Sequence, residues 1–213
     1  ALLARMGAVL SLDAKPARTD RMHEIRELHI YRIGLIKDRT ACRNRLHGAR
    51  NQVVLAHLRA RLRQVEKQID QIDVELRRLV TEDADLVRRY EVLMSIPGIG
   101  PIAAVAMIVE MPELGTLSGK EAASLAGLAP ITHESGKWKG RSKIGGGRGA
   151  LRTTLYMPAL VSIRYNPQLG QVYRTLSDAG KPAKVAITAV MRKLIVLANA
   201  LIRDENLEAM RAV

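Results

Sequence analysis

An apolar seam in the first half of the chain constrains the fold most. Its residues step alternately by four and by three along the sequence: Leu58, Leu62, Val65, Ile69, Ile72, Leu76 and Leu79. This is the a/d spacing of a coiled coil, and it places the apolar residues on one side of a long helix. A helix of this kind needs a partner, because its seam cannot stay in water.

The partner of this seam is either a second helix of the same chain or a second subunit. Residues 21–48 have helical composition without a clean apolar stripe, and a turn near Gly48 would fold the two helices antiparallel. Asp83 interrupts the seam. Three heptads do not decide between the alternatives. We assign residues 21–90 to a coiled-coil region, and the prediction leans to a subunit contact and so to a homo-oligomer.

Positive charge is concentrated towards the C-terminal end. The net charge is +13, and from Lys137 to Arg203 thirteen lysines and arginines stand against one acid, Asp178. The first 90 residues instead mix nineteen basic with twelve acidic residues. An excess of this kind predicts a nucleic-acid partner and binding that tolerates sequence but weakens with salt.

Other partners and compartments fit less well. Membrane binding is the weaker interpretation, because no apolar run reaches the length of a span and no charged amphipathic anchor opens the chain. The single cysteine, Cys42, excludes an internal disulfide and a thiolate metal cage. These observations predict a protein of the reducing cytoplasm that does not bind a membrane.

The segment from Leu128 to Arg152 is polar, rich in glycine and cationic. Glycine lets backbone N–H groups approach phosphate closely while basic side chains supply charge. A small β-hairpin at Lys137 to Ile144 is possible here. The segment predicts nucleic-acid contacts from its six basic residues: Lys137, Lys139, Arg141, Lys143, Arg148 and Arg152.

A second candidate contact is the stretch S-I-P-G-I-G-P from Ser95 to Pro101. Pro97 stops a helix, Gly98 and Gly100 supply the φ freedom of a tight turn, and Pro101 suits the first turn of the next helix. This predicts a helix-hairpin-helix, whose turn amides and second helix N-terminus bind a DNA phosphate. The alternative is a tight αα corner buried in the domain, which the absence of flanking lysine or arginine favours.

The remaining chain also reads as helices. Ser118 and Glu121 form a capping box before a short apolar helix that ends at Pro130. Further helices are predicted at 150–164, where Pro158 kinks or breaks the helix, at 166–180, and at 182–203, followed by a tail at 204–213. The predicted fold class is therefore all-α or nearly so.

Few residues offer catalytic chemistry. The five histidines are too scattered to cage a metal ion, so no metal-ligating residue is predicted. Ser135 could attack a phosphodiester, with the basic residues that follow it neutralising the developing charge and His133 accepting the proton. Judged on residue types alone, Ser135 is more typical of a turn residue than of a nucleophile.

A succession of short blocks changes that weighting, because their order and spacing are more specific than any one of them. Together they resemble the C-terminal part of insertion-sequence transposases that join an N-terminal RuvC-like DEDD domain to a serine-bearing transposase domain. The blocks are S-I-P-G-I-G (95–100), L-A-G-L-A-P (125–130), E-S-G (134–136), G-G-G-R-G-A-L-R (145–152), Y-M-P-A-L (156–160), R-Y-N-P (164–167) and G-K-P-A-K-V-A-I-T-A-V-M-R-K-L (180–194).

The resemblance implies DNA cutting and strand exchange by a serine nucleophile together with a Mg2+-dependent acidic tetrad. It also implies a structured guide RNA, a multimeric complex, and a bacterial cytoplasm where the protein associates with the nucleoid when bound to DNA. Ser135 matches the family's serine. The family's coiled coil matches residues 21–90, its transposase domain matches 91–203, and residues 1–20 correspond to the interdomain segment.

The front of the chain departs from the family pattern. Arg18-Thr19-Asp20-Arg21 resembles the end of the acidic tetrad, but His23 stands where the second aspartate belongs, and we interpret the match as coincidence. The expectation is therefore that Mg2+ belongs to the acidic domain and that this chain binds no cofactor and is not competent alone. Two hypotheses remain: a transposase fragment that holds the serine, or a non-catalytic coiled-coil helix-hairpin-helix protein that only binds nucleic acid.

Overall fold

The computed structural model describes residues 9, 19–132, 134, 135, 138–140 and 142–211, with the backbone alone at 134, 135, 138, 139 and 205–211. These residues form eight helices of three or more residues and four strands of two residues each. The helices are α1 (Asp20–Gly48), α2 (Gln52–Thr81), α3 (Ala84–Met94), α4 (Pro101–Glu110), α5 (Gly119–Leu125), α6 (Gly149–Tyr165), α7 (Pro167–Asp178) and α8 (Ala183–Arg211). The strands are β1 (Pro130–Ile131), β2 (Glu134–Ser135), β3 (Trp138–Lys139) and β4 (Lys143–Ile144). The predicted all-α class is confirmed.

Helices α1 and α2 form an antiparallel helical hairpin, which we call the helical hairpin. Thr19 caps α1 by accepting a hydrogen bond from the Met22 amide, and Asn51 caps α2 in the same way. The tetrad-like sequence at the front of the chain is thus a helix cap. Ion pairs that cross from α1 to α2 run in opposite sequence directions, which defines the antiparallel register: Arg21–Glu82, Arg32–Asp73 and Arg43–Glu66.

The apolar seam of α2 is closed by α1 over most of its length. Val65, Ile69, Leu76 and Leu79 are each at most 5% exposed within the single chain. Residues this deeply buried have no surface left for a second subunit, so for them the preference for a subunit contact is wrong and the intramolecular alternative is correct. Because the connection between the helices is three residues long, α2 folds back along α1 and its seam packs against α1. Oligomerisation through other surfaces stays a prediction.

The main core lies among α3 to α8 and continues into the root of the helical hairpin. Helix α4 is buried from Ala103 to Val109 without interruption, as expected for a helix that is apolar on every side. Ile25 of α1 and Leu76 of α2 belong to the same core cluster. A separate small cluster of Leu35, Val65 and Ile69 stabilises the hairpin further out.

Helix α8 is longer and more apolar than the sequence reading allowed. Residues Ala183–Asp204 are long and apolar enough to span a membrane by length and composition, which corrects the statement that no run reaches that length. Half of this stretch is buried inside the protein, where it packs on α3, α5, α6 and α7. The helix also continues through most of the predicted tail to Arg211, because no glycine or proline interrupts it.

Two further local predictions have clear outcomes. The capping box of Ser118 and Glu121 at the start of α5 is present with both of its hydrogen bonds. Helix α6 runs through Pro158 without a break, so the breaking alternative is wrong. Buried contacts from Leu155, Pro158 and Ser162 hold the helix together although Pro158 lacks the N–H donor.

Candidate functional site

The residues around Ser135 form a β-hairpin, which we call the serine hairpin (130–144). Strands β1 and β4 pair antiparallel at its base, and β2 and β3 pair antiparallel further out. Ser135 is opposite Trp138, so two residues connect the inner strands directly after Ser135. The predicted hairpin at 137–144 is therefore wrong in register, and the true one begins seven residues earlier.

The residue types that connect the inner strands favour this register. The two connecting residues are Gly136 and Lys137, and a two-residue connection that begins with glycine is typical of a type II′ hairpin turn. Both residues lie outside those the structure describes, as do His133 and Arg141. Ser135 is thus the last paired residue of the first inner strand, and among the described residues Lys139 lies on β3 and Lys143 on β4.

Two glycines fix the base of the serine hairpin to the end of α5. Gly147 has a φ of +57°, and a Cβ added there would lie 2.4 Å from the Gly127 amide nitrogen. Gly127 has a φ of +67°, and its added Cβ would lie 2.4 Å from the Gly146 carbonyl oxygen. Backbone contacts this close leave no room for a side chain. These glycines serve internal packing, and the phosphate approach predicted for the glycines of this segment stays untested.

Arg152 ties the same two backbone segments together. Its Nη1 donates to the carbonyl oxygens of Gly146, at 3.0 Å, and Gly127, at 3.3 Å. The Arg148 amide adds a backbone bond to the Leu125 carbonyl at 2.8 Å. The blocks L-A-G-L-A-P and G-G-G-R-G-A-L-R, separate in sequence, therefore form one unit that supports the serine hairpin.

Arg148 is engaged in a bidentate ion pair. Its Nη1 and Nη2 each lie 2.7 Å from a carboxylate oxygen of Glu113, and Nη1 also donates to the Glu110 carbonyl. The hydrogen bonds that Arg148 donates to Glu113 raise the pKa of Arg148 above its ordinary value, against the lowering effect of partial burial. This geometry gives Arg148 a structural role, because its guanidinium already donates to a carboxylate and a backbone carbonyl of its own chain. Its predicted contact with nucleic acid stays untested.

The turn between α3 and α4 packs against α6. Gly98 has a φ of +108°, as predicted, and its added Cβ would lie 2.2 Å from Ser162 Oγ and 2.8 Å from the Pro158 carbonyl oxygen. Buried Ser162 donates its hydroxyl to the Pro97 carbonyl at 2.8 Å. These contacts agree with the αα-corner alternative. The glycine is needed because the turn touches a helix of its own chain.

Gly100 differs from Gly98 in its backbone φ and in the space around its Cα atom. Its φ is −95°, which any residue adopts, and a Cβ added there would meet nothing within 4 Å. The prediction that Gly100 supplies φ freedom is wrong. Gly100 is the N-cap of α4 without a side-chain hydrogen bond, so the first amides of that helix are left without a cap.

The structure does not bring the two candidate contacts together. The serine hairpin joins α6 at Gly149, whereas the Gly98 turn packs on the same helix at Ser162. Thirteen residues of helix separate these points, a distance of about 20 Å. Lys143 is exposed on β4. Lys139 of β3 is paired with Glu134, the residue before Ser135. The cations near Ser135 are thus those of the return strand.

Several residues that organise the site escaped sequence reasoning. Arg89 is largely buried and donates to the Pro112 carbonyl at 2.9 Å, and its burial lowers its pKa. Buried Asn199 of α8 accepts from the Gly115 amide and donates to the Leu117 carbonyl. Together with Arg148 they hold the turn between α4 and α5. An asparagine on the apolar side of α8 was the available signal, since buried polar groups need partners.

The residues the structure describes include no group of three or more histidine, cysteine, aspartate or glutamate side chains that could hold a metal ion. The Mg2+ implied by the resemblance would need such carboxylates, and these residues do not fit it. That expectation concerns an acidic domain and is not tested by the residues of this chain.

Comparison with known proteins bears on the region that carries the serine hairpin. Residues 90–174 match the family described as Transposase IS116/IS110/IS902. The chain is 33% identical over 176 residues to the pilin gene-inverting proteins of Moraxella bovis and Moraxella lacunata, a match that covers 81% of this chain and 53% of each relative. It is 31% identical over 121 residues to the insertion element IS900 uncharacterized 42 kDa protein of Mycobacterium paratuberculosis, which covers 55% of this chain and 30% of that protein.

The chain is thus similar to proteins described as a transposase family and as pilin gene-inverting proteins. More particularly, residues 90–174 resemble the transposases of the IS116/IS110/IS902 family. The chain spans about half the length of the pilin gene-inverting proteins that it matches.

Proposed function

We propose that this chain is the strand-exchange part of a DNA transposase, with Ser135 as its nucleophile. The observation that supports it best is the position of Ser135 at the outer end of a β-hairpin whose base is locked by Gly127, Gly147 and Arg152. A catalytic hydroxyl must be held on a rigid support, and the contacts that fix the base of this hairpin support the proposal. The match of residues 90–174 to a transposase family supplies the reaction class.

The chemistry is a pair of transesterifications. Ser135 Oγ attacks the phosphorus of a DNA phosphodiester, so that an Oγ–P bond forms and a P–O bond to one deoxyribose breaks. The hydroxyl proton passes to a base, for which His133 is the candidate in sequence, and the departing sugar oxygen takes up a proton. A hydroxyl of a second strand then attacks the phosphoserine, which restores Ser135 and joins the strands.

The cations that follow Ser135 stabilise the extra negative charge of each transition state. Lys137, Lys139, Arg141 and Lys143 are assigned this role, because fixed positive charge near a developing phosphorane lowers the barrier. Arg148 and Arg152 instead support the hairpin through the contacts described above. Removing either of them is expected to misplace Ser135 without removing a charge from its surroundings.

The turn at Gly98 and Gly100 is assigned a separate phosphate contact. The uncapped first amides of α4 favour an anion, and Pro97 and Pro101 are exposed beside them. This contact lies about 20 Å along α6 from the base of the serine hairpin, so it binds a different part of the DNA. A guide RNA, a multimeric assembly and a Mg2+-dependent acidic domain complete the proposal, in the bacterial cytoplasm.

The decisive experiment replaces Ser135 by alanine in a chain extended by the acidic domain that the resemblance implies. Each variant is incubated with a nicked suicide DNA substrate and denatured, and the protein–DNA adduct is quantified. We expect Ser135→Ala to abolish the adduct and lower strand exchange by orders of magnitude while DNA binding persists.

Ser142→Ala is the matched control, because Ser142 is an exposed hydroxyl of the same hairpin on the return side. The control is expected to form the adduct at the wild-type rate. An adduct that persists in Ser135→Ala would show that Ser135 is a turn residue. Binding of DNA with no adduct in any variant would favour the non-catalytic alternative.

A further inference from the structure

A groove with basic walls lies between α5, α7 and α8, at the end of α5 away from the serine hairpin; we call it the basic groove. It encloses about 610 Å³. Lys120 of α5 and Arg192 and Lys193 of α8 supply its charge, and its floor consists of Val172, Ala189 and Val196. None of these residues takes part in the serine chemistry proposed above.

The three cations of the basic groove have no counter-charge. Among the described residues, Lys120, Arg192 and Lys193 form no ion pair and no side-chain hydrogen bond, whereas Arg148 is paired with Glu113. Lys120 and Lys193 are exposed, and Arg192 is half-buried. Cations held together without an acid repel each other, which an external anion would relieve.

The groove is held by close helix packing. A Cβ added to Gly119 of α5 would lie 3.1 Å from Val196 Cγ1 of α8, so the two helices approach as closely as a glycine permits. Helices α7 and α8 also pack on each other along their length. The cations therefore sit on fixed supports, which reduces the entropy lost when a ligand binds.

We infer that the basic groove binds the backbone of double-stranded DNA, the substrate of the proposed function on which this inference rests. The charges match phosphates, and the aliphatic floor suits deoxyribose carbons. Helix α5, which links the groove to the base of the serine hairpin, is about 10 Å long, or about three base pairs of B-DNA. One duplex therefore reaches both places.

The test measures binding of a fluorescent DNA duplex by anisotropy across a salt series, using the full chain. The triple variant Lys120→Ala, Arg192→Ala, Lys193→Ala is expected to reduce the slope of log K against log salt by about 2.7, since each phosphate contact contributes about 0.9. Lys181→Ala is the matched control, because Lys181 is exposed, unpaired among the described residues and outside the groove. It is expected to change the slope by less than a third as much.

A second variant separates the loss of groove charge from a loss of folding. If the triple variant melts at a lower temperature, Lys120→Glu with Lys193→Glu replaces it, because both side chains are exposed and their exchange leaves the core intact. A slope equal to that of the wild type, or an equal loss in the control, overturns the inference. A loss seen with an RNA duplex but not with DNA overturns the assignment to DNA. Failure of the serine chemistry is seen separately, because the adduct assay and not the salt slope reports on Ser135.

Discussion

The helical hairpin and the C-terminal helices use positive charge in opposite ways. In the helical hairpin, three arginines of α1 pair with acids of α2 and of its C-cap, from Arg21–Glu82 at the root to Arg43–Glu66 further out. In α8, the cations from Lys184 to Lys193 pair with no carboxylate of the described residues. Pairs of the first kind help to set the register of two helices, whereas unpaired cations remain available to a ligand.

The net charge of a basic protein therefore does not by itself measure how much positive charge is available to bind an anion. A positive charge that faces an acid contributes little to the binding of an external anion, because its field is already neutralised. Arg59, Arg61 and Arg63 at the outer part of α2 are exposed and unpaired among the described residues, so that part of the helical hairpin resembles the C-terminal helices. The useful distinction is therefore between paired and unpaired cations. The following predictions test this distinction and the packing of the two regions.

The largest effect is expected from Ile69→Asp in the helical hairpin. Ile69 is 4% exposed, and a charge there has no partner, so the free energy of unfolding should fall by about 3–5 kcal/mol. Val74→Asp is the control on the same helix, because Val74 is 60% exposed. Urea denaturation followed by circular dichroism measures the loss. A fall in sedimentation mass with helicity and stability intact would instead show that the seam joins subunits.

The next effect concerns the base of the serine hairpin. Gly147→Ala forces a side chain into a positive-φ position against backbone atoms at 2.4–2.7 Å, and we expect a loss of about 2–4 kcal/mol. Gly145→Ala is the control, since the nearest atom to its added Cβ is Ile131 Cδ1 at 3.7 Å. Thermal and urea unfolding compare the two. Equal stability of both variants would mean that the close contact with Gly127 is absent.

A smaller effect is a pH dependence at the root of the helical hairpin. Burial lowers the pKa of His29 below 6.5, opposed by Glu110, whose Oε1 lies 3.7 Å from Nε2, and reinforced by Arg32 and Arg26. The unfolded chain then takes up a proton that the folded chain does not. Stability is complete above about pH 6.5 and falls as the pH drops below it, by at most about 1.4 kcal/mol per pH unit.

His29→Gln should remove this dependence, because glutamine does not titrate. His23→Gln is the control, since His23 is exposed on the same helix. Urea midpoints measured from pH 7.5 to pH 5 compare the variants with the wild type. A wild-type slope retained in His29→Gln would assign the dependence to other groups.

The smallest effect compares one paired with one unpaired cation. Lys143→Ala on the serine hairpin should reduce the salt slope of DNA binding by about 0.9, the contribution of one phosphate contact. Arg43→Ala should leave the slope unchanged, because Arg43 lies 2.7 Å from Glu66, and should cost at most about 1 kcal/mol of stability. Anisotropy titrations at four salt concentrations are sufficient. An equal change in both variants would contradict the distinction between paired and unpaired cations.

Local signals predicted the elements well. The seam from Leu58 to Leu79 predicted a long helix, Ser118 and Glu121 predicted a cap, and Pro97 with Gly98 predicted a tight turn. Each of these depends on residues within a turn or two of one another, so the sequence carries the information directly. The hairpin register was missed because strands of two residues give no alternating pattern to count.

The amino-acid sequence alone predicts a helical chain whose C-terminal third carries an excess of positive charge. Which charges are paired, and which glycines are needed for close packing, depends on tertiary contacts. Arg148 meets Glu113 across 35 residues, and Gly98 meets Ser162 across 64, and no local pattern predicts such partners. The physical reason is that helix propensity and capping act within a few residues, whereas contacts between distant segments depend on how the whole core packs.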